Sequence, residues 1–444
     1  MALINCPECG KQISDKAKFC PHCGFVPNVN LDDFEIEDGV LVEYKGSGGD
    51  VTIPNGITAI DVSAFADCTE LKSITIPDSV TSIYYDAFFG CTGLTSIKIP
   101  DSVTDIGEDA FANTAWYNNQ PNGLVYAGKV AYKYKGICPS SITIKEGTLG
   151  IAYSAFSDCT ELKSIVIPDS VTDIGEDAFA RCTKLTNIFV ESANQCYISE
   201  YGVLFNKNKT ELICCSGGKT GDYIIPDSVT EIGDYAFFGC MNLTNITIPD
   251  VVTEIGDYAF FCCMSLTSII IPDGVTEIGE SVFLGCKSLK SISIPDSIIH
   301  IGIRAFYGCN ELRSITIPDS VTSIGEDAFS DCKNITIICN PGSHAEEYAK
   351  ECGITYNYSE NNSHAKSNNP VEQHNEPVIK SNPEPEECPD FYEEEIDSDD
   401  YYEYYDYTWF EPSERINISE WWHLYYDDDA DFVNKYDDWT MDPQ

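Results

Sequence analysis

The sixteen-residue phrase IPDSVTSIGEDAFSDC, from Ile317 to Cys332, recurs with small changes through most of the chain. Ile-Pro pairs put prolines at Pro54, Pro77 and Pro100, at Pro168, and at Pro226, Pro249, Pro272, Pro295 and Pro318, a step of 23 residues within each cluster. A fixed step of that size restricts the chain to stacked supersecondary units, because no single unit can bury its own apolar face. The longer intervals, Pro100 to Pro168 and Pro168 to Pro226, hold degenerate units with inserted segments.

Within one unit, Leu94, Ile97 and Ile99 alternate with Ser96 and Lys98, which is strand periodicity with one face buried. Pro100 removes a backbone donor and ends the strand. Val103 and Ile106 then turn inward, and Ala110-Phe111 fills the space before the next strand. Neighbours stacked at the strand spacing of about 4.8 Å would bury these groups against one another. Replacing Phe260 should therefore open a core cavity, whereas Asp257, in the solvated turn, should be cheap to replace.

These residues resemble the BspA-like subclass of leucine-rich repeats, whose unit reads close to L-x-S-I-x-I-P-D-S-V-T-x-I-G-x-x-A-F-x-x-C, from about Asp50 to Ile338. The resemblance implies a curved solenoid with a parallel sheet on its concave face. The stretch GSHAEEYAKECGITY, Gly342 to Tyr356, resembles the family's terminal helix and last strand. The best-known members are surface adhesins. The expected fold is a β-rich repeat solenoid with an N-terminal zinc ribbon and a mostly disordered acidic tail. Its divisions are a ribbon at 1–27, a linker and hairpin cap at 28–49, and a solenoid at 50–358. Hairpin insertions fall near 115–140 and 191–222, and a cap helix near 343–352. A flexible linker at 359–389 leads to an acidic aromatic tail at 390–444.

Nine cysteines occupy the closing position of the unit: Cys68, Cys91, Cys159, Cys182, Cys240, Cys263, Cys286, Cys309 and Cys332. Each should point inward as a small plug whose thiol meets a turn carbonyl. Side chains on neighbouring rungs are parallel, whereas a disulfide needs facing Cβ atoms about 3.8 Å apart, so reduced thiols are expected. The start of the chain differs. CPECGKQISDKAKFCPHCG sets Cys6 and Cys9, then Cys20 and Cys23, in two CPxCG knuckles, a pattern suited to one tetrahedral, structural zinc ion. It resembles the short zinc-ribbon modules of bacterial proteins. His22 reads as a bystander.

The net charge of −46 disfavours nucleic acid and anionic membrane surfaces as partners. Nearly half of it lies beyond Ser359. The outward sheet positions, Lys72, Thr75, Lys98, Lys163, Thr247, Lys290 and Arg313 among them, carry no carboxylate and are candidates for partner binding, while the acids fall in the turns. In the tail, Trp409, Trp421 and Trp422 sit among carboxylates as a candidate docking segment. Six histidines are widely scattered, and nucleophile elbow, phosphate loop and open metal site are all missing, which argues against an enzyme. The opening residues carry no export signal and no apolar run is long enough to span a membrane, so a cytoplasmic location without membrane insertion is expected. The function expected is a non-catalytic scaffold for an unknown protein partner. The alternatives are a cell-surface adhesin for host or matrix proteins and a structural spacer.

Overall fold

The computed structural model describes residues 3–5, 10–14 and 30–359. Leu3–Asn5 and Gln12–Ser14 form an antiparallel hairpin. The rest is a β-solenoid of about 14 turns with a period of ~23 residues.

Two parallel ladders run along the solenoid. The wider one contains the strands anticipated around Ser96: Leu71–Thr75 pairs with Ser96–Lys98 in the register Ser73↔Ser96, Ile74↔Ile97, Thr75↔Lys98. Farther along, Ser268–Ile270 pairs with Ser291–Ser293 in the same way. Its burial alternates because Ile faces the core and Ser, Thr or Lys faces water, as in the exposed–buried–exposed pattern of Ser314–Thr316. The narrower ladder is made of two-residue strands such as Ala59–Ile60, Ser82–Ile83 and Asp105–Ile106, joined through Ile60↔Ile83↔Ile106. One such rung has only its neighbours to stabilise it.

The unit closes on a phenylalanine. Phe237, Phe260, Phe283, Phe306 and Phe329 stack with centroids 5.1, 5.4, 5.4 and 5.2 Å apart, and Phe65, Phe88 and Phe111 form a similar column. Offset stacks at this spacing are favourable beyond the apolar area they bury. Two sharp corners flank each ring, and both need left-handed backbone. The residue two before Phe, such as Asp86 (φ 54°) or Tyr258 (φ 57°), makes the first corner. The residue before the closing cysteine makes the second, glycine at Gly90 (φ 69°) and Gly308 (φ 70°) but Asp67 (φ 57°) or Arg181 (φ 54°) elsewhere. Asp tolerates this region better than most residues with a Cβ.

The cysteines form a thiol ladder. The Sγ of Cys91 donates to the carbonyl of Phe65 at 3.0 Å, and Cys182, Cys263, Cys286, Cys309 and Cys332 repeat the bond at 3.1 to 3.2 Å, each to the phenylalanine of the unit before. Burial pushes the Cys91 and Cys182 thiols up to about 12. These are plugs that also satisfy a buried carbonyl. Cys332 departs from the pattern, its thiol drawn downward by its neighbour Cys309.

One turn residue is more engaged than its solvated setting suggests. Asp257 accepts the backbone N–H of Glu280 at 2.6 Å, and Asp234 accepts that of Asp257 at 2.7 Å. The carboxylates are therefore tied into a ladder of their own, and replacing Asp257 removes a charge-assisted bond.

Hairpins open three successive blocks. Phe34–Glu37 with Val40–Tyr44, Gly123–Ala127 with Val130–Lys135, and Val203–Asn206 with Glu211–Cys215 each return a strand that is itself a rung of the narrow ladder. The registers coincide: Leu41↔Ile60, Ala131↔Ile151 and Leu212↔Ile232. Tyr44, Tyr134 and Cys215 then donate their N–H to Ala64, Ala155 and Ala236, the bond a unit's phenylalanine makes in Phe65 to Ala87. In the second block Lys133 binds the buried Asp109 carboxylate at 2.7 Å. Lys135 closes the short helix Ala115–Asn118 by donating to the carbonyls of Tyr117, Asn118 and Gln120.

At the far end, helix His344–Glu351 starts from a reciprocal cap. Ser343 Oγ accepts from Glu346 N, and Glu346 Oε2 accepts from Gly342 N. The strand Thr355–Tyr358 follows and pairs with Thr336–Cys339.

Candidate interaction surfaces

On the wide sheet, position in the unit decides what a partner meets. Lys72, Lys98, Lys163, Thr247, Lys290 and Arg313 are exposed there and Thr75 is half-buried. The structure does not gather them into one patch. Lys98 lies beside Thr75 on the first block. Lys290 and Arg313 hold the same place in successive units, with Lys290 N bonded to Thr267 O and Arg313 O receiving Thr336 N. Trp409, Trp421 and Trp422 lie outside the described residues, as do Cys6, Cys9, Cys20 and Cys23. The described part of the ribbon is the hairpin Leu3–Asn5/Gln12–Ser14, with Gly10 at φ 69°.

The sheet face differs from its sequence-based description in two ways. It carries carboxylates, because the first strand of a block adds Asp50 and Asp222. Ser73 Oγ donates to Asp50 at 2.7 Å, and Thr244 and Asn245 donate to Asp222 at 2.9 and 2.7 Å, the Asn245 bond foremost in holding that carboxyl below the usual range. It also carries exposed apolar groups: Phe189 is 53%, Ile224 71% and Ile270 72% accessible. Ile224 pairs with Thr247 and Ile270 with Ser293, so these side chains take the column where Thr or Lys usually stands. The run SIIIP at Ser268–Pro272 breaks the hydroxyl alternation of its neighbours, and that break was the available signal.

A second feature lies on the narrow ladder. The rung Asp173–Ile174 belongs to the sheet of the second block, and the hairpin strand Glu211–Cys215 to the sheet of the third, with the two unpaired to each other. A cavity of about 290 Å³ occupies this joint. Its walls include Tyr197, Tyr235 and Phe238, and around them stand Glu176, Asp177, Glu211, Glu231, Asp234 and Glu254, with no lysine, arginine or histidine in the lining. Glu211, Glu231 and Glu254 sit directly opposite one another in register, an arrangement of like charges that opposes pairing. Burial, reinforced by the charges of Asp234, Asp105 and Asp257, raises Glu176 to about 7. Burial and the Glu108 charge raise Asp177 to about 7, although Ser154 donates to it from both N and Oγ. Burial lifts Glu231 and Asp234 in the same direction. The residues were legible as an acidic rim; the cavity was not.

Elsewhere Glu146, Asp169 and Glu191 bring three carboxylate oxygens within 4.8 Å of one another at consecutive turns. Among the described residues, no helix is long and apolar enough to cross a membrane.

The family described as BspA type leucine-rich repeat region matches in six copies over residues 43–131, 125–220 and 214–336. Each matched stretch begins inside one of the three hairpins. A zinc-ribbon domain matches residues 5–26. Among solved structures, a leucine-rich cell surface protein of Faecalibacterium prausnitzii A2-165 is 29% identical, with 72% of this chain and 94% of that chain covered and a TM-score of 0.44. The pneumococcal vaccine antigen PcpA is 21% identical over 73% of this chain and 96% of its own, with a TM-score of 0.44. A leucine-rich repeat protein of Bacteroides ovatus ATCC 8483 is 25% identical over 72% and 87%, with a TM-score of 0.33. No curated protein matches the sequence.

Proposed function

Because the chain belongs to the BspA-type leucine-rich repeat family, we propose that it is a non-catalytic scaffold that binds another protein across its wide sheet. The observation that carries this reading is the exposure of Phe189, Ile224 and Ile270 on a face otherwise made of polar and charged side chains. Large apolar groups left exposed on a sheet face serve an interface as its buried centre, with a polar rim around them. Lys98, Lys290 and Arg313 would then supply rim charges, which set on-rate and orientation more than affinity. Trp409, Trp421 and Trp422 make the acidic tail a second contact.

The test is a photo-crosslinking residue placed at Ile270 or, as a control, at Asp273 in the neighbouring turn, in full-length protein made in its native cells. Adducts to one protein from position 270 alone, abolished by Phe189→Asp, support the reading; equal adducts at both positions refute it. A variant ending at Ser359 tells whether the tail shares the work.

Cys6, Cys9, Cys20 and Cys23 are the residues that would hold one zinc ion. Four thiolates fill a tetrahedral shell and leave no position for substrate, so the ion would supply folding energy rather than chemistry. We place the protein in the cytoplasm, where a reducing milieu keeps both the knuckles and the thiol ladder unoxidised. A membrane-impermeant amine label on intact cells separates this from an adhesin: labelling of the protein would move it to the cell surface.

A further inference from the structure

The cavity at the joint between the second and third blocks is lined by aromatic and aliphatic groups together with side-chain charges of a single sign. Tyr197, Tyr235 and Phe238 stand in the lining, Tyr235 stacked on Tyr258 and Phe238 on Phe261; Glu176, Glu231, Asp234 and Glu254 add carboxylates with no cation in the lining to answer them. The paired rungs Glu211, Glu231 and Glu254 hold like charges opposite one another. A bound cation would relieve that repulsion.

Two observations decide which kind of cation. A metal ion needs ligand atoms converging on one point, and among the described residues the single group with three ligand atoms within 4.8 Å is Glu146, Asp169 and Glu191, none of which lines this cavity. Its carboxylates are therefore spread around a space instead of focused on a point. That space, about 290 Å³, falls just below the roughly 300–1,000 Å³ typical of small-molecule sites and so matches one long side chain. Aromatic walls with a carboxylate rim suit a group that is apolar along its stem, flat or compact at its head, and positively charged.

We propose that this cavity is the receptor for a single basic side chain, arginine or lysine, presented by a partner protein. The stem lies along Tyr235 and Phe238 and the charged head among the carboxylates of Glu231, Asp234 and Glu254. Such a site is separate from the wide sheet, so one partner could be gripped there and another here.

The experiment is calorimetric titration of full-length protein with acetyl-Gly-Arg-Gly-amide and, in parallel, acetyl-Gly-Gly-Gly-amide. It is run at about 150 mM salt, where the screening length of about 8 Å suppresses diffuse attraction to the charged surface. Expected is saturable one-to-one binding of the arginine peptide alone. Affinity should fall about tenfold in Glu231→Gln/Glu254→Gln and about fivefold in Phe238→Ala. It should stay unchanged in Asp273→Asn/Asp296→Asn, which removes the same charge from the proline turns, and in Ile270→Arg, which damages only the sheet face. Because the two glutamine replacements remove a repulsion, they should not unfold the chain, and a circular dichroism melt verifies this. Equal weakening by both charge-neutral pairs would reduce the effect to net charge and overturn the proposal. So would absence of saturable binding, or displacement of the peptide by equimolar calcium.

Discussion

Phe260→Ala is the sharpest probe of how the solenoid holds together. The ring is fully buried, lies between Phe237 at 5.1 Å and Phe283 at 5.4 Å, and stacks nearly parallel to both, at 15° and 1°. Truncating a buried phenylalanine costs about 3–5 kcal/mol through lost transfer energy and the cavity left behind. Two stacking partners are lost together, each pair worth about 0.5–1.5 kcal/mol beyond its buried area. The value should therefore fall in the upper half of that range, a large share of the roughly 5–15 kcal/mol by which domains are stable. In a repeat array each unit touches mainly its neighbours, so the loss should be local. Urea denaturation gives the total, and hydrogen exchange shows where it falls: amides of residues 237–306 should lose protection while those around Phe65 and Phe88, in the other core cluster, keep theirs. Asp273→Ala, on an exposed proline turn, should stay within about 0.5 kcal/mol of the parent. A comparable small effect for both variants, or uniform loss of protection along the chain, would refute the stacked-ring account.

Four other outcomes follow from particular contacts. Asp257→Ala should cost about 1.5–3 kcal/mol in a denaturant melt, because it strips the Glu280 N–H of a charged acceptor. Lys133→Ala should cost about 3–5 kcal/mol by leaving Asp109 buried and unanswered, and Asp109→Asn in the same chain should recover part of the loss, read from paired melting curves. Glu176 and Asp177 have folded values near 7, above the roughly 4 of an unfolded carboxyl. Between those limits the native state holds more protons than the unfolded one, so stability should fall as pH rises from about 4 to 7. Denaturant midpoints at pH 5 and pH 8 check the sign, and Glu176→Gln/Asp177→Asn should flatten the difference. Zinc chelation should abolish structure in residues 3–26 without moving the main melting transition, followed by metal analysis and by exchange of the Leu3–Asn5 amides.

What the sequence revealed and what it hid have a common cause. Leu94, Ile106, Phe111 and Cys91 could be placed because the same residue types return every unit, and a stack must put equivalent positions on top of each other. Tyr44, Tyr134 and Cys215 do the job of a phenylalanine's backbone without sharing its identity, so the hairpins read as interruptions although their returning strands are rungs. Ile224 and Ile270 were inside strands already recognised, and only their exposure was unseen, since an apolar residue in a strand is taken for an inward one. The cavity depends on a hydrogen-bonded pairing that is missing between Asp173–Ile174 and Glu211–Cys215. Periodicity predicts pairings, not their omission.

The three hairpins hand over to the solenoid in identical register, with Leu41, Ala131 and Leu212 each meeting the narrow-ladder isoleucine of the unit that follows. A gene encoding such a chain can therefore be cut and rejoined at these points without shifting any downstream side chain from one face to the other. Deleting from Val130 to just before Glu211 would put the returning strand Glu211–Cys215 in the place of Val130–Lys135, and duplicating that stretch would lengthen the array by a whole block. The hairpins are thus natural recombination joints. Length, and with it the extent of the binding face, can change between descendants of this gene in single steps, while the packing of every remaining unit stays as it was.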